Sequence, residues 1–321
     1  MEYRVPFVNY PLQYKNLEGE IDSAIKKVLS DGQLILREDV EQFERNIASL
    51  VGTKYAVGVN SCTDALIFSL RAAGVQEGDE VITISHTFFA SIEAIVHSGA
   101  TPILIEVGED FLMDMDQLEP AITPQTKAIL PVHLNGRVCD MERLMSIAQK
   151  HNLVVIEDAA QALGAMYNGG KAGSFGLAGC FSFYPAKLLG SAGDGGAVTT
   201  NDERIAEQIR LLRHHGLKTK TEIALYGFTS RLHNLQAAIL NVKLPHLQEW
   251  IEKRREIAAM YEKGLAGVSG VKTPPAPTTD GPYFDVYQNY VLKAEKRDEL
   301  FEYLKEHGVE TLVKDPVPNH K

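Results

Sequence analysis

Between Tyr55 and Thr200 the chain alternates short β-branched, apolar runs with stretches of helical periodicity. The runs YAVGV, EVITIS, TPILIEV, KAILPVH and LVVIED alternate with helix-like segments such as TDALIFSLRAAG. This rhythm is typical of βαβ units, in which helices connect parallel strands. Two later runs, GCFSFY (179–184) and GGAVTT (195–200), are joined by too few residues for a crossover helix, so we expect them to be antiparallel neighbours. The pattern therefore predicts an α/β fold with a mixed, mostly parallel sheet and helices on both faces.

The second half of the chain predicts further helices. Asn201 and Asp202 are cap residues for a helix that should run to about His214. Another helical stretch begins near Arg231, and Pro245 should start a new helix or bend the old one.

With 321 residues the chain can form one large and one smaller domain. A Pro/Gly-rich stretch at 264–284 precedes DVYQNYVLKA and the helix-like KRDELFEYLKEHG. We expect a large cofactor-binding domain at 1–245, of which 1–25 form an N-terminal arm, and a small α+β domain at 246–321. The sequence stops one strand-like segment after the helix of that domain, so we expect the small domain to be incomplete.

Charge and composition exclude several classes of protein. The net charge is −10, and no block of like charges resembles a nucleic-acid or polybasic membrane footprint. Cys62, Cys139 and Cys180 are odd in number and widely spaced, which favours a reducing, cytoplasmic compartment. The N-terminal run MEYRVPFVNY lacks the apolar core of a signal peptide, and no later stretch approaches the roughly 20 apolar residues of a membrane span.

Ligands in such sheets bind outside the carboxyl ends of the strands, and two of these ends carry unusual polar residues. Residues 60–64, Asn-Ser-Cys-Thr-Asp, open a helix, whose free N–H groups and positive dipole end suit a phosphate. An ordinary serine N-cap explains the same residues. Asp158 follows the apolar run LVVI, where a carboxylate is costly unless it meets a cation or a set of donors. It could equally be a helix cap.

A lysine and an aromatic residue stand at two more strand ends. Lys187 lies between the aromatic run FSFY and the glycine-rich loop LLGSAGDGG, although most lysines are solvated surface residues. Phe88, after EVITIS, either packs in the core or covers the face of a flat ring. Pyridoxal phosphate (PLP) would use all four sites, with its phosphate at 61–64, its ring nitrogen at Asp158, its ring face at Phe88 and its aldehyde carbon at Lys187.

The sequence resembles the DegT/DnrJ/EryC1/StrS family of sugar aminotransferases, which are PLP enzymes of fold type I, the aspartate-aminotransferase-like fold. The likeness runs through DGQLILREDVEQFE (31–44), SCTDAL, GDEVITISHTFFAS, TKAILPVHLNG, IEDAAQALGA, FSFYPAK, GDGGAVTT and RLHNLQAAILNVKL (231–244). It covers nearly the whole chain.

The resemblance implies roles for individual residues. Lys187 would hold the cofactor, Asp158 would bind the pyridine nitrogen with Gln161 beside it, and Phe88 would stack on the ring. The phosphate contacts would fall on Cys62, Thr63, Asp64 and Ser182. No metal is expected.

One segment departs from the family pattern. Residues 227–231 correspond to the family's G-x-N-x-R, whose asparagine usually reaches the phosphate bound by the partner subunit, but here Thr229 takes its place. Thr229 or Ser230 could substitute with a hydroxyl. Because family sites lie at subunit interfaces, we expect a homodimer with shared active sites.

The implied reaction moves an amino group from an amino acid, by resemblance glutamate, to a keto sugar on dTDP or UDP. Lys187 would act as general base, while Asp158 keeps the ring nitrogen protonated. The basic run at 213–220 is the richest supply of cations for the diphosphate, although a solvated helix end explains it equally well. The expected substrate contacts are Arg37, Tyr184, His215 and Arg231.

Two other functions stay open. A PLP-dependent dehydratase of the same family would have histidine in place of Lys187, so that lysine argues against it. A non-catalytic PLP-fold sensor or binding protein is compatible with Thr229 and with the short C-terminus. The segments AILNVKLPHLQEW and GDGGA are more similar to the branch that acts on 3-keto sugars than to the 4-keto branch.

Overall fold

The computed structural model describes residues 3–313 and residue 319. The strands of this part are β1 (Tyr55–Val59), β2 (Glu80–Ile84), β3 (Thr101–Ile105), β4 (Thr126–Ile129), β5 (Val154–Asp158), β6 (Met166–Tyr167), β7 (Gly170–Lys171), β8 (Ala178–Ser182), β9 (Gly196–Thr200), β10 (Val271–Lys272), β11 (Tyr283–Phe284) and β12 (Lys293–Ala294). The helices are α1 (Tyr10–Asp31), α2 (Glu38–Val51), α3 (Cys62–Ala72), α4 (Ala90–His97), α5 (Met115–Leu118), α6 (Met141–His151), α7 (Glu203–Leu212), α8 (Asn234–Lys243), α9 (Leu247–Leu265) and α10 (Arg297–Glu306).

A seven-stranded sheet forms the centre of the molecule, in the order β1-β9-β8-β5-β4-β2-β3. The pairs from β8 through β5, β4 and β2 to β3 are parallel, whereas β9 is antiparallel to both of its neighbours. Each of the seven β-rich runs in the sequence coincides with one of these strands. The predicted mixed sheet with helices on both faces is confirmed.

The core lies where helices pack on this sheet. All five residues of β9 are buried, and α2 and α3 pack against β1, β8 and β9. Phe43 of α2 meets Phe183 edge-on, with ring centroids 5.0 Å apart. Because Phe183 follows β8 directly, this contact anchors the start of the loop that contains Lys187.

The helices after the sheet begin and end close to the predicted residues. Asp202 caps α7 by accepting a hydrogen bond from the Arg204 N–H (2.9 Å), and the helix ends at Leu212, two residues before His214. Pro245 lies in a 3₁₀ turn between α8 and α9, so it starts a new helix, one of the two predicted outcomes.

The C-terminal region contacts the middle of the chain and its N-terminal segment. β11 pairs with β6, and the Val5 N–H donates to the Gly308 carbonyl (2.9 Å) just after α10. The division into domains at 245/246 stays a prediction. Among the helices described here, none is both long and apolar enough to cross a membrane.

Candidate active site

Strand register brings the predicted residues to one edge of the sheet. Asp158 at the end of β5 pairs with Cys180 of β8, and Ser182 at the end of β8 pairs with Gly196 at the start of β9. Gly196 in turn pairs with Val59, the last residue of β1. The end of β1 that opens α3, the end of β8 that leads to Lys187, and Asp158 therefore share one edge.

Asp158 is a buried carboxylate with two donors. The Ser91 hydroxyl donates to Oδ2 (2.7 Å), and the Ala160 N–H donates to Oδ1 (3.1 Å). No helix begins in the residues directly after Asp158, so its alternative interpretation as a helix cap is wrong. Burial raises the pKa of Asp158, while the two hydrogen bonds and the positive charge of Lys187 oppose that rise. The carboxylate is thus set up to receive a cation.

Ser91 belongs to a hydroxyl pair that the sequence analysis missed. Its Oγ lies 2.9 Å from the Thr87 Oγ1, and both side chains are buried in the first turn of α4 or just before it. A serine at such a position usually caps a helix, so no sequence signal links it to Asp158, which is 67 residues away.

Glu157 fixes the end of β5 from the opposite side. Its fully buried carboxylate accepts hydrogen bonds from the N–H groups of Gly173 (2.7 Å), Phe175 (2.8 Å) and Gly176 (2.7 Å). His133 Nδ1 accepts from the Cys139 N–H, so Nε2 carries the proton and donates to Glu157 (2.9 Å). These contacts hold the neighbouring Asp158 in place.

Lys187 lies in a turn after β8. Its N–H donates to the Tyr184 carbonyl (2.8 Å), and its side chain is half-buried. Burial, followed by the charge of Asp158, raises the pKa of the Cys62 thiol, and Lys187 opposes both effects. Because Lys187 follows β8, the strand next to β5, its loop leaves the same edge of the sheet as Asp158.

The start of α3 combines a cap with free donors. The Ser61 Oγ accepts from the Asp64 N–H (3.1 Å), which confirms the interpretation as an N-cap. The Cys62 and Thr63 N–H groups lie in the first turn, where no helical carbonyl can accept from them. The Asp64 carboxylate accepts from the Ser230 hydroxyl (2.8 Å), so this side chain links α3 to residues 227–231.

The exposure of Phe88 and the hydrogen bonds of Gln161 show how these two side chains are placed. The Phe88 side chain is 62% exposed, so its interpretation as a core residue is wrong. The Gln161 Oε1 accepts from the Asn135 N–H (2.8 Å) and from Asn289 Nδ2 (3.3 Å). A backbone N–H needs an oxygen acceptor, which fixes the amide orientation and leaves Nε2 as the donor.

Residues 213–231 form a hairpin-like segment. Thr229 Oγ1 lies 2.9 Å from His215 Nε2, and Arg231 Nη1 lies 3.2 Å from His214 Nδ1. The Arg231 Nε is buried without a hydrogen-bond partner among the residues described. Arg213 is buried and donates to the Gly58 carbonyl (2.7 Å), so this member of the basic run is neither solvated nor available to a diphosphate.

The other predicted substrate contacts lie at the surface. Arg37 is exposed at the start of α2, and the preceding segment meets the residues before α8 through the bridge between Ile35 and His233. Tyr184 is also exposed. In the described ranges no cluster of three or more His, Cys, Asp or Glu could hold a metal ion.

Comparison with known proteins identifies the family. A profile of the DegT/DnrJ/EryC1/StrS aminotransferase family matches residues 15–321. The chain is 45% identical over 319 residues to dTDP-3-amino-3,4,6-trideoxy-alpha-D-glucose transaminase of Streptomyces venezuelae, which covers 99% of this chain and 83% of that protein. It is 41% identical over 318 residues to UDP-N-acetyl-3-dehydro-alpha-D-glucosamine 3-aminotransferase of Acidithiobacillus ferrooxidans, with 99% and 85% covered.

Solved structures agree with this result. The crystal structure of S. venezuelae DesV in complex with a ketimine intermediate superposes with a TM-score of 0.96 at 44% identity, over 99% of this chain and 85% of that chain. Aminotransferases of this family use pyridoxal phosphate, and solved relatives contain it in its PLP or PMP form. The chain belongs to the DegT/DnrJ/EryC1/StrS aminotransferase family.

Proposed function

We propose that this protein transfers an amino group from glutamate to the keto group of a sugar linked to dTDP or UDP, with Lys187 as the lysine that holds pyridoxal phosphate. The observation that supports this most strongly is the placement of Lys187, after β8, and of the buried carboxylate of Asp158, at the end of the neighbouring β5, at one edge of the sheet. A carboxylate buried at a strand end needs a cationic partner, and a protonated pyridine ring is one.

The residues present fit the cofactor. The first-turn N–H groups of Cys62 and Thr63 and the hydroxyl of Ser182 suit its phosphate. Asp158 suits its ring nitrogen, and the exposed ring of Phe88 is available to cover its face. Gln161 offers an oriented amide donor beside Asp158. The role of Asp64 is indirect in this proposal, because its N–H and its carboxylate are both used within the chain.

Asp158 and Lys187 have separate roles in the proposed reaction. When bound, the cofactor supplies an electron sink for the carbanion that forms at the donor's α-carbon. Asp158 holds a proton on the pyridine nitrogen by charge attraction. The Lys187 amine would take the proton from the donor's α-carbon and pass it to the cofactor carbon that keeps the nitrogen. In the second half of the reaction it would move a proton the opposite way, onto the sugar carbon that receives the amino group.

The names of two relatives support a class of sugar acceptor. The names of the two relatives compared above both specify an amino group at position 3 of a nucleotide-linked sugar. We therefore propose a 3-keto sugar as the acceptor, and Arg37, Tyr184, His215 and Arg231 as its contacts. The unpartnered Nε of Arg231 is a donor that an anionic diphosphate would satisfy.

A homodimer with shared sites accounts for the exposed apolar residues. Tyr226 is 98% exposed and Ile223 is 68% exposed, on the segment that contains Thr229. Exposed apolar side chains that are grouped beside a predicted binding residue suit an interface. We place Thr229 at the phosphate of the partner subunit's site. The free state of the three cysteines fits a reducing cytoplasm, where we place the reaction.

Spectroscopy tests the proposed function. Adding glutamate to the cofactor-loaded protein should abolish the visible absorption band of the bound cofactor, and adding a nucleotide-linked 3-keto sugar should restore it. Lys187→Ala should abolish turnover, whereas Lys253→Ala, which removes a surface lysine of α9, should not. Release of the 3-oxygen from the sugar without transfer of nitrogen would identify a dehydratase. A spectrum that glutamate and other amino acids leave unchanged would identify a binding protein.

A further inference from the structure

The peptide groups on either side of Lys187 are bonded to one side chain that the function above does not use. The Leu188 N–H donates to the Gln288 Oε1 (2.8 Å), and the Gln288 Nε2 donates to the Ala186 carbonyl (3.0 Å). An N–H can be met only by the amide oxygen and a carbonyl only by the amide nitrogen. The two contacts therefore agree on a single orientation of the amide, which is buried.

These two hydrogen bonds restrict the backbone rotations that set the direction of the Lys187 side chain. The Ala186 carbonyl lies in the peptide plane before the Lys187 Cα, and the Leu188 N–H lies in the plane after it. Peptide groups are planar, so the angles between these two planes are the φ and ψ of Lys187. A side chain that holds both planes fixes the direction in which Lys187 leaves the backbone.

Gln288 is itself held rigidly. The Arg254 Nη1 donates to the carbonyls of Tyr287 (3.0 Å) and Gln288 (3.2 Å). On the other side the backbone of Gly136 packs so closely that a Cβ there would lie 2.8 Å from the Gln288 N. Because its own backbone is held by these contacts, Gln288 keeps its position and can hold the loop that contains Lys187 in place.

The next residue touches the opposite side of the site. Asn289 Nδ2 lies 3.3 Å from the Gln161 Oε1 and 3.3 Å from the Asn135 Oδ1. Two consecutive residues, which come from the segment between β11 and β12, thus contact the Lys187 loop and the Gln161 amide. This arrangement sets the distance between two groups that would act on one ligand.

We propose that Gln288 is a positioning residue, which aims the Lys187 amine through the two flanking peptide groups. This inference rests on the proposed role of Lys187 as the cofactor lysine. A lysine has four flexible carbons, so its amine reaches a productive geometry only if its backbone is fixed. Gln288 contacts neither cofactor nor substrate in this scheme.

The chain offers a matched control. Gln236 accepts a hydrogen bond from the Ala192 N–H (2.9 Å), four residues further along the same loop. Gln236→Ala removes the same kind of amide-to-backbone bond without touching the planes beside Lys187. Gln288→Ala removes both hydrogen bonds of this side chain, the one with the Leu188 N–H and the one with the Ala186 carbonyl. Gln288→Glu keeps the acceptor for the Leu188 N–H but places an oxygen against the Ala186 carbonyl.

The experiment combines amide hydrogen exchange at single-residue resolution, visible circular dichroism of the bound cofactor, and kinetics. Gln288→Ala should lose protection at Leu188 and lower the visible ellipticity per bound cofactor. Its kcat should fall roughly tenfold to a hundredfold, with KM for the sugar changed less than about twofold. Gln236→Ala should lose protection at Ala192 and keep ellipticity and kcat. Gln288→Glu should keep protection at Leu188 but show lower ellipticity and lower kcat. If Gln288→Ala does not fold, Gln288→Glu alone tests whether Gln288 positions Lys187.

Equal effects of Gln288→Ala and Gln236→Ala on ellipticity and kcat would overturn the inference, because the role would then be general loop stability. So would normal ellipticity and kcat in a folded Gln288→Ala or Gln288→Glu. Lys187→Ala separates this failure from that of the proposed function. If Lys187→Ala retains turnover, the proposed function fails; if it is inactive while both Gln288 variants are normal, only the inference about Gln288 fails.

Discussion

At the scale of single residues, Asp158 shows a conflict between stability and function. Its raised pKa means that the folded protein binds this proton more tightly than the unfolded chain does. Its contribution to stability is therefore complete below the ordinary value of 3.8 and is lost as the pH rises through the higher folded value. At neutral pH the cofactor-free protein has a buried carboxylate that favours unfolding.

Asp158→Asn should relieve that cost. We expect the free energy of unfolding of the cofactor-free protein at pH 7 to rise by about 1–2 kcal/mol, since a neutral amide is less costly to bury. We expect kcat to fall roughly a hundredfold or more, because the ring nitrogen loses its counter-charge. Chemical denaturation and steady-state kinetics measure the two effects. An unchanged kcat would show that Asp158 does not serve the cofactor.

Ser91→Ala tests the donor to Asp158. Without the Ser91 hydroxyl the pKa of Asp158 should rise further, so the acidic limb of the pH–activity profile should move to higher pH. We expect kcat at pH 7 to fall roughly tenfold, which corresponds to about 1.4 kcal/mol. Ser98→Ala is the control, because that hydroxyl lies at the other end of the same helix, where it donates to the Ala94 carbonyl. Identical pH profiles for the two variants would contradict this role.

Some residues of the candidate site could be recognised in the sequence, and others could not. The placement of Lys187 and Asp158 at the sheet edge could be predicted because each is a charged residue at or just after the end of an apolar or aromatic strand, where an unpaired charge is costly. Their roles toward the cofactor stay predictions. Ser91, Gln288 and Asn289 could not be predicted, since their roles depend on contacts between residues 67 to 128 positions apart in the chain. No local pattern records such contacts.

At the scale of elements, the close approach of β9 to the start of α3 shapes the predicted phosphate site. A Cβ on Gly196 would lie 2.4 Å from the Ser61 carbonyl carbon and 2.8 Å from the Cys62 N. Only glycine lets the strand support the helix start at this distance. The seven strands themselves were predictable, because runs of β-branched and apolar residues bounded by turn residues are a local signal. The closeness of β9 and α3 is not local, so the sequence did not reveal it.

Gly196→Ala should therefore displace the start of α3. We expect affinity for pyridoxal phosphate to fall roughly tenfold and stability to fall by about 1–3 kcal/mol, as for other overpacked sites. Gly19→Ala is the control, because a Cβ at that position in α1 meets nothing within 4 Å. Equilibrium binding measured by cofactor fluorescence compares the two. Full affinity in Gly196→Ala would show that the start of α3 does not bind the phosphate.

At the scale of the whole molecule, the site is open on the side of Phe88 and Tyr184, and the exposed Tyr226 and Ile223 lie on the segment that contains Thr229. A second copy that covers these surfaces would complete the site. The division of the chain into two domains stays a prediction. β11 pairs with β6 in a small separate sheet, and the Val286 N–H donates to the Gly136 carbonyl (2.9 Å), so the C-terminal region is bonded to residues before position 245.

Tyr226→Asp should disrupt that assembly. Light scattering should give twice the 35.4 kDa subunit mass for the native protein and the subunit mass for the variant. Activity should be lost together with the dimer, because Thr229 would no longer reach the partner's site. Met260→Asp, an exposed apolar residue of α9, should remain dimeric and active. A monomeric native protein with full activity would refute the shared site.

The central claim is that the amine of Lys187 holds the cofactor opposite Asp158. Borohydride reduction of the cofactor-loaded protein makes the bond between cofactor and lysine permanent, and peptide mass mapping then locates it. We predict that the cofactor mass appears on Lys187 alone. Its appearance on another lysine, or its absence from every lysine of a protein that visibly binds the cofactor, would contradict the account.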